Sequence, residues 1–162
     1  KMADLRKMLE NLKFEDVKTY IQSGNLVFKS VETRTNQLEE KIKNGISETF
    51  GFDIPVLVKT REELRSIFDK NPFTDASDIE NKQVYFALLK ETPKPELIAS
   101  FKKEAFKGEL FTVANDCVYL NYSIGAGKAK LSNNLIERKL KVSATSRNYR
   151  TMVKLLELSS DV

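Results

Sequence analysis

Histidine is absent from this chain of 162 residues, and cysteine occurs once, as Cys117. Without histidine the chain cannot form a Ser-His or Cys-His nucleophile pair, an imidazole general base or a histidine metal site. A single cysteine excludes an internal disulfide and a thiolate zinc site. These absences remove much of the common hydrolase and zinc chemistry and favour a reducing, cytoplasmic location. Nothing in the sequence indicates a metal or a cofactor.

Long apolar runs are also absent. The run from Val84 to Leu89 is among the longest, and it is far shorter than the roughly 20 residues that a membrane helix needs. No charged segment followed by an apolar signal core stands at the N-terminus. We therefore expect no membrane partner. With 41% hydrophobic and 31% charged residues, the composition is that of a chain that folds into one domain or two small lobes.

Positive charge is concentrated toward the C-terminus. The net charge of the chain is +4, and one acidic residue, Glu137, stands between Ser123 and Lys154. The cations of that stretch are Lys128, Lys130, Arg138, Lys139, Lys141, Arg147, Arg150 and Lys154. This asymmetry favours an anionic partner, although a solvated face is the ordinary explanation of a charge run.

Hydrophobic periodicity predicts helices and strands along the whole chain. Helical spacing occurs around Leu5–Leu12, Leu38–Phe50, Leu64–Phe68, Leu97–Ala105, Leu131–Leu140 and Tyr149–Leu156. The strand-like segments are Val17–Gln22, Leu26–Lys29, Val56–Lys59, Val84–Leu89, Leu110–Val113 and Val118–Tyr122. Thr60 and Glu63 have the spacing of a capping box, which predicts a helix start between them. The polar stretch 71–82 is the best linker candidate.

The order of these elements predicts an internal duplication. The first half reads αββαβ and the second βαββα with a final helix, so each half is a split βαβ unit of an α+β fold with antiparallel sheets. We assign the first lobe to residues 1–70 and the second, with the C-terminal helix, to residues 83–162. The first lobe lacks its opening strand. We therefore expect further residues upstream of Lys1, because an unpaired sheet edge is usually protected.

Three sequence stretches resemble a family of bacterial proteins, domain-of-unknown-function family 1697. They are KMADLRKMLENL at 1–12, TYIQSGNLVF at 19–28 and SATSRNYRTMVKLLEL at 143–158. The resemblance implies two tandem ferredoxin-like lobes and no established activity. Family members typically carry an N-terminal strand and a basic, glycine-rich loop that this sequence lacks, so no site residue of that loop can be assigned here.

The strongest candidate site lies near the start of the last predicted helix. A helix N-terminus attracts anions, and guanidinium groups bind phosphate through two hydrogen bonds. The alternative is that Ser143 or Thr145 caps the helix while the arginines pair with carboxylates of the first lobe. The candidate ligand-binding residues here are Ser143, Thr145, Arg147, Asn148, Arg150 and Thr151.

Two turns are further candidates. Gly125, Gly127 and Lys128 belong to a stretch with free backbone amides beside lysines, which suits an anion nest. The stretch lacks the spacing and the hydroxyl of a phosphate-binding P-loop, and a flexible connection is the alternative. Ser23 and Asn25 are polar enough to line a site, but they are also the residue types of a tight turn.

The sequence leaves three functions open. The first is non-catalytic binding of a phosphate-bearing ligand or nucleic acid by a C-terminal basic surface centred on Arg147 and Arg150. The second is an enzyme acting on a small anionic metabolite between the lobes, with carboxylate or hydroxyl chemistry. The third is a protein–protein interaction module. The oligomeric state is not predicted.

Overall fold

The computed structural model describes residues 1–21 and 24–160, which form a mixed α+β protein with two antiparallel sheets. The chain divides into two compact units. The first unit is Lys1–Arg65 with Val153–Val162, and the second is Ser66–Met152. Segment 71–82, the predicted linker, belongs to the second unit and contains a short helix that Asp75 caps.

The described elements follow one another along the chain with short connections. In order they are α1 Met2–Asn11, β1 Glu15–Tyr20, β2 Asn25–Lys29, α2 Thr35–Phe50, α3 Arg61–Asp69, α4 Ala76–Glu80, β3 Val84–Leu89, α5 Pro95–Lys102, β4 Glu109–Val113, β5 Cys117–Tyr122, α6 Asn133–Leu140, β6 Ala144–Asn148 and α7 Tyr149–Leu158. None of the described helices combines the length and apolar character needed to cross a membrane.

In the first unit, α1 and α2 pack together on the β1–β2 hairpin. Their apolar faces form a core with Phe14 and Val17, and the buried helical residues are Met8, Leu9, Leu38, Ile42 and Ile46. The two helices approach closely at Gly45, where an added Cβ would stand 2.7 Å from Met8 Sδ. A larger residue at Gly45 would therefore force the Met8 side chain, or the two helices, to move.

The predicted strand Val56–Lys59 is not a strand in the structure. Val56 and Val58 still pack on the core of the first unit, as Leu26 and Phe28 of β2 do. The backbone N–H of Val58 donates to Glu39 Oε2 at 2.9 Å, and Glu39 is only 8% exposed. A buried carboxylate thus takes the hydrogen bond that a neighbouring strand would accept.

The second unit is built on a four-stranded antiparallel sheet in the order β4-β5-β3-β6. Helices α5 and α6 cover one face, where Phe101 and Ile136 pack against Ala87 and Leu120 of the central strands. On the other face, the ring of Phe86 lies against Phe68, Tyr119 and Tyr149. Both faces of the central strand β3 are therefore buried.

Strand β6 is an element that the sequence patterns did not predict. Residues 144–148, expected before and within the first turn of the last helix, instead form the edge strand beside β3. Arg147 pairs with Phe86 and Ala144 pairs with Leu89 in its register. The segment shows no alternation of apolar and polar residues. A half-buried edge strand tolerates polar side chains, so it can form without that pattern.

Candidate anion-binding site

The predicted cluster at 143–151 is divided between a strand and a helix. Helix α7 begins at Tyr149, and Asn148 Oδ1 accepts the backbone N–H of Thr151 at 2.9 Å. Asn148 is therefore the cap, and the expectation that Ser143 or Thr145 caps this helix is wrong. Thr145 lies in β6, and the carbonyl of Ser143 accepts the N–H of Lys90 at 2.9 Å.

Arg147 lies on the face of the sheet that points away from α6. Ser146 Oγ donates to Asn133 Oδ1 of α6 at 2.6 Å. Because successive side chains of a strand alternate between faces, Arg147 emerges on the opposite side, with Phe86. Arg147 is half-buried, its Nη1 donates to the carbonyl of Ser146 at 2.8 Å, and burial lowers its pKa. Arg150, one residue into α7, is exposed.

Two of the other C-terminal cations have acidic partners. Lys139 of α6 pairs with Glu104 at 3.2 Å, on the face of the sheet opposite Arg147. Lys154 pairs with Glu157 at 3.7 Å. The remaining four cations are exposed. They lie on the glycine-containing loop and at the end of α6, and they are Lys128, Lys130, Arg138 and Lys141.

The loop with Gly125, Gly127 and Lys128 is held by a carboxylate. Glu109, which is 4% exposed, accepts the N–H groups of Lys130 and Leu131 at 3.0 and 2.7 Å. An anion at these amides would have to displace Glu109. The loop turns at Gly125, whose φ of 90° is a conformation that other residues adopt with strain.

Asn25 is the first residue of β2. It is 4% exposed, pairs with Tyr20 of β1 and donates its side-chain amide to the Tyr20 carbonyl at 3.4 Å. Ser23, the other candidate of the predicted turn, lies outside the described residues.

A cavity of about 530 Å³ in the first unit brings together cations that the sequence reasoning did not connect. We call it the basic cavity. Strand β1 supplies Lys18, α3 supplies Arg61 and Arg65, and the C-terminal part of the chain supplies the rest. Its lining residues are Lys18, Arg61, Arg65, Val153, Leu156, Glu157 and Ser160.

Two of these cations also bind the last turn of α7. Lys18 Nζ donates to the carbonyl of Leu158 at 3.3 Å, and Arg61 Nη2 donates to that of Leu156 at 3.2 Å. The last carbonyls of a helix have no partner within it, and cations there also offset the helix dipole. Lys18 and Arg61 therefore stabilise α7 as well as making the cavity positive. The Nε of Arg61 is buried and has no hydrogen-bond partner in the described structure.

The described lining of the basic cavity carries three cations and one carboxylate. That carboxylate, Glu157, has Lys154 as an ion-pair partner. Arg65 stands one helical turn after Arg61, so both side chains project from the same face of α3. The capping box that the sequence predicts at the start of α3 is confirmed. Thr60 N donates to Glu63 Oε1 at 2.8 Å, and Glu63 N donates to Thr60 Oγ1 at 3.1 Å. The capping box positions Arg61 and Arg65, but nothing local indicates that Lys18 joins them.

The rest of the described structure offers fewer candidate sites. A second cavity of about 420 Å³ lies beside the edge strand β4, and its charged lining residues are of both signs: Lys102, Glu104 and Glu109. Across residues 1–21 and 24–160, no three acidic or cysteine side chains gather in a way that would hold a metal ion. Among the described residues, the basic cavity is therefore the best-supported candidate site.

Comparison with known families identifies the chain. Residues 1–119 match the family described as protein of unknown function (DUF1697). The chain belongs to this family. Among solved structures, this DUF1697 protein is similar to the conserved bacterial protein SP0830 from Streptococcus pneumoniae, with a TM-score of 0.73 and 22% identity over 99% of this chain and 89% of that chain. That likeness shows the fold. No curated protein matches the sequence.

Proposed function

We propose that this DUF1697 protein is a non-catalytic module that binds a phosphate-bearing ligand in the basic cavity. The observation that supports it is the convergence of Lys18, Arg61 and Arg65 on one cavity, in whose described lining the one carboxylate, Glu157, is paired with Lys154. Cations held around a concave site favour a multiply charged anion. The cavity also has the size of an ordinary small-molecule site.

The predicted C-terminal basic surface has weaker support than the basic cavity. Arg147 and the α6 cation Lys139 are on opposite faces of the sheet, and Lys139 is paired with Glu104. Catalysis has no specific observation in its favour, because the polar side chains of the basic cavity are three cations, an ion-paired carboxylate and a hydroxyl. The cytoplasmic location remains a prediction from the single cysteine.

Substitutions in the cavity test the proposal. We would titrate the protein with inorganic phosphate, adenosine monophosphate and a hexose 6-phosphate by isothermal calorimetry. Since a charged hydrogen bond contributes about 1.5–3 kcal/mol, the change Arg65→Ala should lower the affinity for the bound phosphates by about tenfold or more. Arg65 is exposed, so its removal should leave the fold intact. Circular dichroism checks that point.

A matched control is Arg6→Ala. Arg6 is an exposed arginine of the same unit that pairs with Glu10 at 3.5 Å, away from the cavity lining. The affinity should be unchanged in this variant. Arg150→Ala is the second comparison. A loss of phosphate affinity in Arg150→Ala, with no loss in Arg65→Ala, would indicate that the site is the C-terminal surface and would overturn the proposal. The absence of binding by the unmodified protein would overturn it as well.

We further propose that both units follow one tandem ferredoxin-like plan. The second unit supports this with the order β-α-β-β-α-β and the sheet order β4-β5-β3-β6. In the first unit, β2 and residues 56–58 pack on the same core, and no strand is assigned between them among the described residues. An experimental structure of the native protein with a strand between these two segments would support the plan, and direct pairing of the two would contradict it.

A further inference from the structure

We infer that the ligand of the basic cavity is a hydroxylated phosphomonoester, the chemical class of sugar and polyol phosphates. This inference rests on the proposed function and specifies it. The reason is that the cavity is chemically two-sided. Strand β1 and helix α3 contribute its cations, while the end of the chain contributes a carboxylate, a hydroxyl and two apolar side chains.

The cationic side fits a phosphate monoester better than a carboxylate. A phosphomonoester carries a charge of about −1.5 to −2 at neutral pH and three terminal oxygens. Two guanidinium groups one turn apart, Arg61 and Arg65, together with the ammonium of Lys18, provide donors for all three oxygens. A carboxylate has one charge and two oxygens, so it offers these cations less charge and fewer acceptors than a phosphomonoester does.

The opposite side fits hydroxyl groups and a carbon skeleton. Glu157 and Ser160 are adjacent in space, because the N–H of Ser160 donates to the carbonyl of Glu157 at 3.2 Å. A carboxylate accepts hydrogen bonds from two hydroxyls, and the serine hydroxyl both donates and accepts. Val153 and Leu156 add apolar contact for C–H groups.

The lining also argues against a nucleotide or a nucleic acid. Binding of single strands and bases relies on aromatic side chains for stacking, and the described lining of the basic cavity includes no aromatic ring. A nucleic-acid backbone requires cations spaced along several phosphates, which in double-stranded DNA follow at about 3.4 Å of helix axis on each strand. Here the cations surround one cavity of about 530 Å³.

Affinity ratios among four probes test the inference. These probes are a hexose 6-phosphate, the same hexose without phosphate, inorganic phosphate and adenosine monophosphate, each titrated by calorimetry at one salt concentration. Two or three additional hydrogen bonds should make the hexose phosphate bind about tenfold tighter than inorganic phosphate. It should also bind more tightly than the nucleotide, and the free hexose should bind at least a hundredfold more weakly.

Variants of the hydroxyl side give a second measurement. Glu157→Ala should lower the affinity for the hexose phosphate about fivefold. The same change should leave the affinity for inorganic phosphate unchanged or raise it slightly, because it also removes the ion-pair partner of Lys154. Glu48→Ala is the control, since Glu48 is an exposed glutamate of α2 and not part of the cavity lining. Ser160→Ala should act in the same direction as Glu157→Ala with a smaller effect.

The outcomes separate this inference from the proposed function. If inorganic phosphate or the nucleotide binds as tightly as the hexose phosphate and Arg65→Ala weakens it, the inference is overturned while the proposed function stands. An equal effect of Glu157→Ala on inorganic phosphate and on the hexose phosphate also overturns the inference alone. If none of the phosphate probes binds, both fail.

Discussion

The carboxylate of Glu109 accepts the backbone N–H of Leu131 at 2.7 Å, and the same carboxylate accepts the N–H of Lys130 at 3.0 Å. Glu109 is 4% exposed, at the first position of the edge strand β4. One buried side chain thus supplies the acceptors for two amides of the glycine-containing loop. The loop is positioned by the sheet, and two of its amides are already occupied.

The change Glu109→Gln should destabilise the protein by about 1–3 kcal/mol, because the amide nitrogen of glutamine cannot accept the second N–H. Urea unfolding measures this free energy. Hydrogen exchange at Leu131 should accelerate in the same variant. Glu96→Gln, at an exposed position of α5, is the control and should change stability by less than about 0.5 kcal/mol. Equal stability of both variants would contradict the anchoring role.

Asn148 should be the side chain that stabilises the start of α7. It accepts the N–H of Thr151 at 2.9 Å, and removal of such a cap costs about 1 kcal/mol. Thermal or urea unfolding of Asn148→Ala checks this value. Ser143→Ala should have almost no effect, because Ser143 is exposed and precedes β6. A larger loss in Ser143→Ala than in Asn148→Ala would restore the helix start expected from the sequence.

Two buried tyrosines should make the protein sensitive to alkaline pH. Burial, with smaller contributions from nearby charges, raises the pKa of Tyr119 and of Tyr122 above the ordinary value of 10.0. Their hydroxyls donate to the carbonyls of Ile67 and Leu131 at 2.7 and 2.6 Å. Above about pH 10 the unfolded chain loses these protons while the folded protein keeps them, so stability is full below pH 10 and falls as the pH rises.

The double variant Tyr119→Phe, Tyr122→Phe separates this effect from the loss of hydrogen bonds. Its free energy of unfolding should be lower than that of the unmodified protein at pH 8, but it should decline less between pH 10 and pH 11. Urea unfolding at these pH values gives both quantities. A pH dependence as steep as that of the unmodified protein would show that other groups cause the alkaline instability.

Glu32 should titrate at unusually low pH for an exposed carboxyl. Hydrogen bonds from the Arg34 side chain, at 2.8 and 3.0 Å, and from its backbone N–H, at 2.8 Å, lower the pKa of Glu32 from 4.5 to about 2. Carbon-13 NMR titration measures it. In Arg34→Ala the pKa should rise toward 4.5, though the backbone hydrogen bond should keep it below that value. Arg6→Ala should leave the pKa of Glu32 unchanged.

Local sequence signals predicted the elements whose stabilising contacts are close in the chain. The helix around Leu38–Phe50 ends at Gly51 as expected, and the capping box of Thr60 and Glu63 forms with both of its hydrogen bonds. One strand of the second unit, β6, was not predicted. It has no apolar alternation, and its pairing with β3 stabilises it. Conversely, Val56–Lys59 has the composition of a strand but is not one of the described strands.

The candidate site was the least predictable part. Along the chain, positive charge is densest around Arg147, so the sequence predicts a site there, but strand alternation separates that side chain from Lys139 of α6. The basic cavity combines Lys18 with Arg61 and Arg65, more than forty positions further along the chain. Charge counted along a sequence does not reveal which cations share a face.

The sequence by itself determined the exclusion of histidine and disulfide chemistry, the helical periodicities, and the capping and turn positions, since each depends on composition or on residues a few positions apart. The tertiary structure decided that 144–148 is a strand, that Glu109 holds the glycine-containing loop, and that three distant cations surround one cavity. The physical reason is that these features depend on which side chains and backbone edges meet after folding, and long-range packing alone determines those contacts.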